Sequence, residues 1–348
     1  MKFKVDSLTS TRAFAAILVV IHHFGRDVFP FKKFPNFFGN GNLAVSYFFV
    51  LSGFVLYNVY LDKDISYKDF VIKRVARIVP VYYLALLLFI SLPIFLHQLP
   101  ADFAKQLSFH ILFLQAYIPG YALTLNAPAW TLSVEMFFYF LFPALLLFQK
   151  KNSGLFLLSL IGLFICSQAV HLWYSTHRSL LSEDNIDLVY FNPLIHINQF
   201  MIGMAGGAIY NNTKDKVHYR WMPVFWMFIL YALIIFRPEN LSYQTGLIAP
   251  FFMLFIISIA KNDPPVLNAR PLVLLGEISY GIYILQVPVF SVLGYINSKY
   301  FQLRWGYFFY TAFLLLILTS LLSYFLIEKP LRRWISGGVY KSKNSNLS

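Results

Sequence analysis

The sequence predicts an all-α, polytopic membrane protein of about ten transmembrane helices, with both ends on the cytoplasmic side. Three observations carry this. The 348 residues are 58% hydrophobic and only 12% charged, with a mean hydropathy of +0.62. A water-soluble core cannot hide that share of apolar surface. Apolar stretches near 20 residues recur along the whole chain, as membrane-crossing helices require. The basic residues are also asymmetric: with the N-terminus inside, nineteen of the 28 Lys and Arg fall on the inner side and eight on the outer. That is the positive-inside pattern. It accounts for the net charge of +13 without nucleic acid.

The expected spans are approximately 7–25, 42–61, 79–97, 132–149, 154–174, 194–211, 221–236, 244–260, 272–294 and 305–327. The stretch 107–118 is apolar but too short to cross, and reads as re-entrant or interfacial. Residues 1–330 form one membrane domain. The end from 331 to 348 reads as a short basic cytoplasmic tail. The N-terminus has Lys2 and Lys4 before an apolar core, as a signal peptide does, but no small-x-small cleavage site follows and it is read as retained. A single cysteine, Cys166, excludes a disulfide framework and a thiolate metal site. No internal repeat is visible. Walker A, GxGxxG and GxSxG motifs are absent. His97, His110, His171, His177, His196 and His218 are scattered near span ends without a second ligand at i+3 or i+4, so no metal is expected.

Ionisable side chains inside an apolar span are costly and usually face the bundle interior. Three groups stand out. The first span carries Arg12 and the pair His22-His23. On a straight α-helix Arg12 and His23 lie about 16 Å apart along the axis and about 20° apart in rotation, so they share a face. His22 points about 80° to the other side of Arg12. Arg12 could simply snorkel. His23, near the outer end, is the stronger functional candidate.

The second group, Lys73-Arg74-x-x-Arg77-Ile-x-Pro80-x-Tyr82, opens the third span. Arg74 and Arg77 share a helix face. Cations at a helix start oppose the local dipole, which a bound anion such as phosphate would relieve; plain positive-inside charge remains the other reading. The third group is Asn126-Ala-Pro128-Ala-Trp130-Thr-Leu-Ser133-Val-Glu135. Pro128 suits a helix start and Glu135 its first turns. A carboxylate at the depth of His23 would make an acid/base pair, and capping beside an interfacial Trp is the alternative. Weaker signals are the small residues Ser52-Gly53 and Gly203, Gly206 and Gly207, which suit close helix contact. A polar stripe over Glu277, Ser279, Tyr280, Tyr283 and Gln286 faces the bundle.

In order, Arg12-x10-His23, Ser52-Gly53-Phe54, Arg74-x-x-Arg77, Trp130-x-Leu132-Ser133-x-Glu135, Ser279-Tyr280-x-x-Tyr283 and Glu328-Lys329-Pro330 resemble the acyltransferase-3 family of bacterial integral-membrane O-acyltransferases. The resemblance runs over nearly the whole chain. It implies transfer of an acyl group, often acetyl, from acyl-CoA as co-substrate to a hydroxyl of a surface glycan, a lipid-linked sugar or a small natural product. The family's Arg-x10-His falls on Arg12 and His23, its Arg-x-x-Arg on Arg74 and Arg77, and its Trp-Ser-Leu-x-x-Glu on Trp130 to Glu135, with Thr131 replacing Ser. Gln286 stands where many relatives have His. An SGNH-type outer domain, appended in some members, is not expected; a relay to one would need a separate envelope protein.

The expected site is therefore His23, Glu135 and Arg12 for catalysis, Arg74, Arg77, Arg12 and Tyr82 for acyl-CoA, and Trp130, Asn126 and Ser133 for the acceptor, in a multi-pass protein of the bacterial cell membrane. The competing class is a proton-coupled permease or flippase for a lipid-linked sugar, which a buried His and Glu also suit. Its common signature of internal repeats is not seen. A membrane-bound O-acyltransferase of another multi-span fold fits poorly, because the candidate His lies in span one.

Overall fold

The structure, a computed structural model, describes residues 5–64, 66–177, 184–213, 219–237 and 243–335. Among these there are helices and turns and no strand. The helices are α1 (Asp6–Val20), continued by a π turn over Ile21–Gly25, α2 (Pro35–Gly39), α3 (Ala44–Tyr60), α4 (Tyr67–Phe95), α5 (Phe103–Ile111), α6 (Trp130–Lys151), α7 (Ser153–Thr176), α8 (Asp184–Tyr190), α9 (Pro193–Thr213), α10 (Met222–Ile235), α11 (Ala249–Asn262), α12 (Arg270–Glu277), α13 (Ser279–Ile296) and α14 (Trp305–Ser323). Each of the ten expected spans coincides with one of these helices, or with the α12–α13 pair. Seven helical stretches are long and apolar enough to cross a membrane, and α10 and α11 are shorter apolar helices. Leu158, Phe228, Leu314 and Leu326 are exposed on the outer surface, a placement that lipid favours and water does not. The protein is thus an all-helical, multi-pass membrane protein.

Three boundaries differ from the sequence expectation, one being the tenth span, whose helix runs on to Ile335 rather than giving way to a tail at 331. The third span begins twelve residues earlier than residue 79, at Tyr67, because Ser66 caps the helix by accepting from the Asp69 N–H at 3.4 Å, and Asp69 supports the first turn. Hydropathy hides this start, since Lys68, Lys73, Arg74 and Arg77 occupy the early turns. Arg74 and Arg77 consequently sit two to three turns inside α4. The dipole acts only within the first turn, so the dipole argument for an anion at this point does not hold. The ninth segment is broken at Ile278 into α12 and α13.

α1, α3, α6 and α13 are mostly buried and form the centre, while α4, α7 and α14 are largely exposed and form the rim. The most extensive pairing is α3 with α9. It depends on two glycines. A Cβ on Gly53 would lie 2.0 Å from the Phe200 carbonyl oxygen, and one on Gly203 would lie 2.0 Å from that of Val50. Only backbone without side chains can approach this closely.

α13 shows how the sequence compensates for a proline within a span. Pro288 has no N–H to give the carbonyl of Ile284, four residues earlier. Asn126 fills the gap, donating Nδ2–H to that carbonyl at 2.9 Å. Tyr283 donates its hydroxyl to the Pro128 carbonyl at 3.2 Å, and Gln115 donates to that of Ala129 at 2.9 Å. These bonds pin the turn before α6 onto α13 and onto the α5 connection. Glu135 and Gln286 both follow from this anchoring.

Candidate functional site

Two cavities meet inside the bundle. The smaller, about 120 Å³, lies between α1, α3, α4, α6 and α13, with Arg12, Ser52, Arg74, Arg77, Glu135, Tyr139 and Tyr280 on its polar side. Phe48, Phe49, Leu51 and Tyr283 supply an apolar side. The larger, about 490 Å³, is bordered by Arg12, Lys73, Arg74, Arg77, Glu277, Tyr280, Tyr324, Glu328, Arg332 and Arg333. Arg12, Arg74, Arg77 and Tyr280 belong to both. The three sequence-predicted arginines are therefore brought together, from two helices, where a wide basic chamber narrows into the bundle.

The chamber's wall carries six cationic side chains against two carboxylates. Both carboxylates have partners. Tyr324 donates to Glu277 Oε2 at 2.9 Å, and Arg332 Nη1 lies 3.8 Å from Glu328 Oε1. Arg74 is caged by rings, with its guanidinium 5.9 Å from the Tyr60 centroid, 5.6 Å from Phe70 and 5.9 Å from Tyr139. Among the described residues its buried Nε has no hydrogen-bond partner. Among the described residues, the guanidiniums of Arg12 and Arg77 make no hydrogen bond or ion pair. Cations gathered in this way repel one another and leave donors unused. A polyanion with several oxygen acceptors is the natural complement, and planar guanidiniums suit phosphate oxygens.

Glu135 belongs to this cavity. Its Oε1 accepts from Ser52 Oγ at 3.2 Å and from the Tyr139 hydroxyl at 3.1 Å, one turn along α6. His23 has different surroundings. Its Nδ1 lies 2.9 Å from Gln286 Oε1, and its ring is edge-on to Phe24. Among the described residues no hydrogen bond or ion pair joins His23 to Glu135. The expected imidazole–carboxylate pair is thus not brought together; Gln286 and Glu135 each take a separate post.

The π turn at Ile21–Gly25 contributes to this. Its i→i+5 bonding advances less in rotation per residue than an α-helix, so His23 falls short of the straight projection from Arg12. His22 turns aside, with Nδ1 3.2 Å from the Phe38 carbonyl oxygen. His23 and the cavity are nonetheless linked through α13. Tyr280 and Tyr283 line the smaller cavity, and Gln286 follows at the same spacing of three, on the same face.

The remaining candidates sit elsewhere. Tyr82 is fully buried, and its hydroxyl donates to the His110 carbonyl at 2.9 Å, away from both cavities. Trp130 packs against Phe49, Phe191 and His196. Ser133 and Asn126 are buried, and among the described residues Ser133 Oγ and Asn126 Oδ1 have no hydrogen-bond partner. None of these lines either cavity. Conversely, Ser52, Tyr139, Tyr280, Glu328, Arg332 and Arg333 join the site without having been singled out for it. Arg332 and Arg333 look like tail charge in sequence; a π turn at Tyr324–Glu328 carries the α14 helix on to residue 335 and swings them onto the chamber.

Comparison with known proteins shows the family. An acyltransferase-domain family model matches residues 5–327. The "Putative acetyltransferase ORF330" of Acidianus two-tailed virus is 26% identical over 296 residues, 83% of this chain and 84% of that protein. The O-acetyltransferase OatA of Staphylococcus aureus is 25% identical, covering 94% of this chain and 57% of its own length. The peptidoglycan O-acetyltransferase OatA of Listeria monocytogenes is 25% identical, covering 83% of this chain and 50% of its own length. The chain thus spans only about half of either OatA protein. No solved structure matches it. The chain belongs to the acyltransferase-3 family, and it is an integral-membrane O-acyltransferase.

Proposed function

We propose that the protein takes an acyl group, most simply acetyl, from acyl-CoA on the cytoplasmic side and delivers it to a hydroxyl of a cell-surface glycan or lipid-linked sugar. The carrying observation is the convergence of Arg12, Arg74 and Arg77, for which no ion pair is found among the described residues, where the chamber narrows toward α13. On this reading the chain has ten spans in the bacterial cell membrane with both ends inside, and the chamber opens toward the cytosol, where acyl-CoA is found. Arg12, Arg74 and Arg77 hold the donor's phosphates. The apolar wall of Phe48, Phe49 and Leu51 suits the thioester arm. His23, at the far end of α1, removes the acceptor's proton as its oxygen attacks the thioester carbonyl. The carbon–sulfur bond breaks, and the departing thiolate takes the proton back from the imidazolium as free thiol. Glu135 serves the arginine end: its negative charge offsets Arg12 and Arg77, whose field it shares.

The name of the Listeria relative, a peptidoglycan O-acetyltransferase, favours a cell-wall glycan as acceptor. Specificity for it would be set by the outward connections 26–41, 98–129 and 175–193, the last lying partly outside the described residues.

Purified protein with acetyl-CoA and an envelope-glycan extract tests this. His23→Ala abolishes release of CoA thiol but keeps acetyl-CoA binding, read as a thermal shift. Arg74→Ala loses the shift. Full activity in His23→Ala would remove the imidazole from the mechanism. No shift with acetyl-CoA would favour a permease that moves sugar without chemistry.

A further inference from the structure

We propose that Gln286 is a positioning residue that fixes the tautomer of His23, placing the proton on Nδ1 and leaving Nε2 as the basic nitrogen. The inference rests on the reading of His23 as the base and adds which nitrogen acts and what selects it.

Gln286 is fully buried on α13. Its side-chain amide makes two contacts. One end lies 2.6 Å from the Tyr283 carbonyl oxygen, and the other lies 2.9 Å from His23 Nδ1. A backbone carbonyl can only accept. The amide atom facing Tyr283 must therefore be the nitrogen, and the atom facing His23 must be the oxygen. An amide oxygen also only accepts, so His23 Nδ1 must carry a hydrogen. A neutral imidazole has one such hydrogen. Nε2 is left with its lone pair free. The orientation of the amide follows from the bonding pattern alone and needs no view of the hydrogens.

The environment suits a base. Gln286 is sealed in the core, whereas His23 beside it is only partly buried. Its free nitrogen can thus meet an incoming hydroxyl. When the proton arrives on Nε2, the Gln286 oxygen keeps its bond to Nδ1–H. It supports the imidazolium without itself gaining or losing a proton. A carboxylate in that position would add a negative charge beside the ring; a neutral amide orients the ring without adding one. The neighbouring His22, 5.3 Å away between ring centroids, has no such side-chain partner among the described residues and bonds the Phe38 carbonyl instead.

The test uses the full chain in detergent or nanodiscs with 15N-labelled histidine, the His23 signals being assigned by their loss in His23→Asn. Wild-type protein shows His23 Nδ1 in the protonated nitrogen range and Nε2 in the unprotonated range. Gln286→Met keeps the length but removes the acceptor. It shifts His23 toward the other tautomer and lowers kcat for CoA release from acetyl-CoA with envelope-glycan extract by about tenfold or more, with KM for acetyl-CoA unchanged. Gln286→Glu, which can still accept, returns the Nδ1–H signature and recovers rate relative to Gln286→Met. An Nε2–H tautomer in the wild type overturns the proposal, as does an unaltered tautomer in Gln286→Met, or equal loss of rate in the Met and Glu variants. Retained activity in His23→Ala would remove the base assignment while leaving the tautomer measurement intact, so the two failures are distinct.

Discussion

Asn126 donates to the Ile284 carbonyl, the one carbonyl of α13 that Pro288 leaves without a helical donor. The bond joins residues 158 positions apart and is buried. Asn126→Ala should destabilise the protein by about 1–3 kcal/mol, the usual cost of stranding a buried polar group. Pro288→Ala restores an N–H to the helix. In that background the loss at residue 126 should shrink to less than about half. Unfolding curves in detergent for the four proteins of the cycle measure both. Equal losses in the two backgrounds would show that the carbonyl does not need Asn126.

Gly53→Ala and Gly203→Ala should each cost about 3 kcal/mol or more, because the added Cβ meets rigid backbone 2.0 Å away. Gly162→Ala is the internal control: nothing lies within 4 Å of its Cβ, and helical Gly→Ala is mildly favourable by about 0.5–1 kcal/mol. Melting temperature and monodispersity on size-exclusion separate the two outcomes. A tolerated Gly53→Ala would contradict the close crossing of α3 and α9.

Glu135→Gln can still accept from Ser52 and Tyr139 but removes a negative charge beside the three arginines. Acetyl-CoA should then bind several-fold more tightly at low salt, with the gain fading as salt screens the charges. Arg77→Ala should weaken binding by about 10- to 100-fold, the loss of one charge-assisted contact. Isothermal titration at two salt concentrations reads both. Weaker binding in Glu135→Gln would count against its placement at the donor end.

His110, in the connection outside the long spans, is held at about 4 by burial. It lies between the Tyr82 hydroxyl at 3.1 Å from Nδ1 and Thr124 Oγ1 at 3.2 Å from Nε2. The unfolded imidazole titrates near 6.5. Between these values the unfolded chain binds the extra proton and the native chain does not. Stability from this residue is therefore full above about pH 6.5 and is lost as pH falls toward 4. His110→Gln should show a smaller drop in melting temperature between pH 7 and pH 5 than the wild type. An identical drop would assign the acid sensitivity elsewhere.

Much of the arrangement can be read from residues alone. Charge inside apolar stretches is costly wherever it occurs, so Arg12, Arg74, Arg77 and Glu135 stand out in sequence, and all four line one cavity. His23 stands out for the same reason, yet its partner does not. A glutamine in an apolar helix signals little by itself, and the geometry joining Gln286 to His23 arises only after α13 is tied to α1. The start of α4 was hidden because its cap, Ser66, precedes charged turns that depress hydropathy. Arg332 and Arg333 were hidden because a helix continuing past Pro330 cannot be told from a tail by charge.

The residue pattern by itself determined a bundle of apolar helices, the basic asymmetry across it and the family to which the chain belongs, since burial cost and helix period act locally along the chain. Only the folded bundle decided which polar groups meet. Depth along a span can be counted from sequence, but rotation about each axis is set by packing, by the π turn after Val20 and by the break at Ile278. Those rotations bring Glu135 to the arginines and Gln286 to His23.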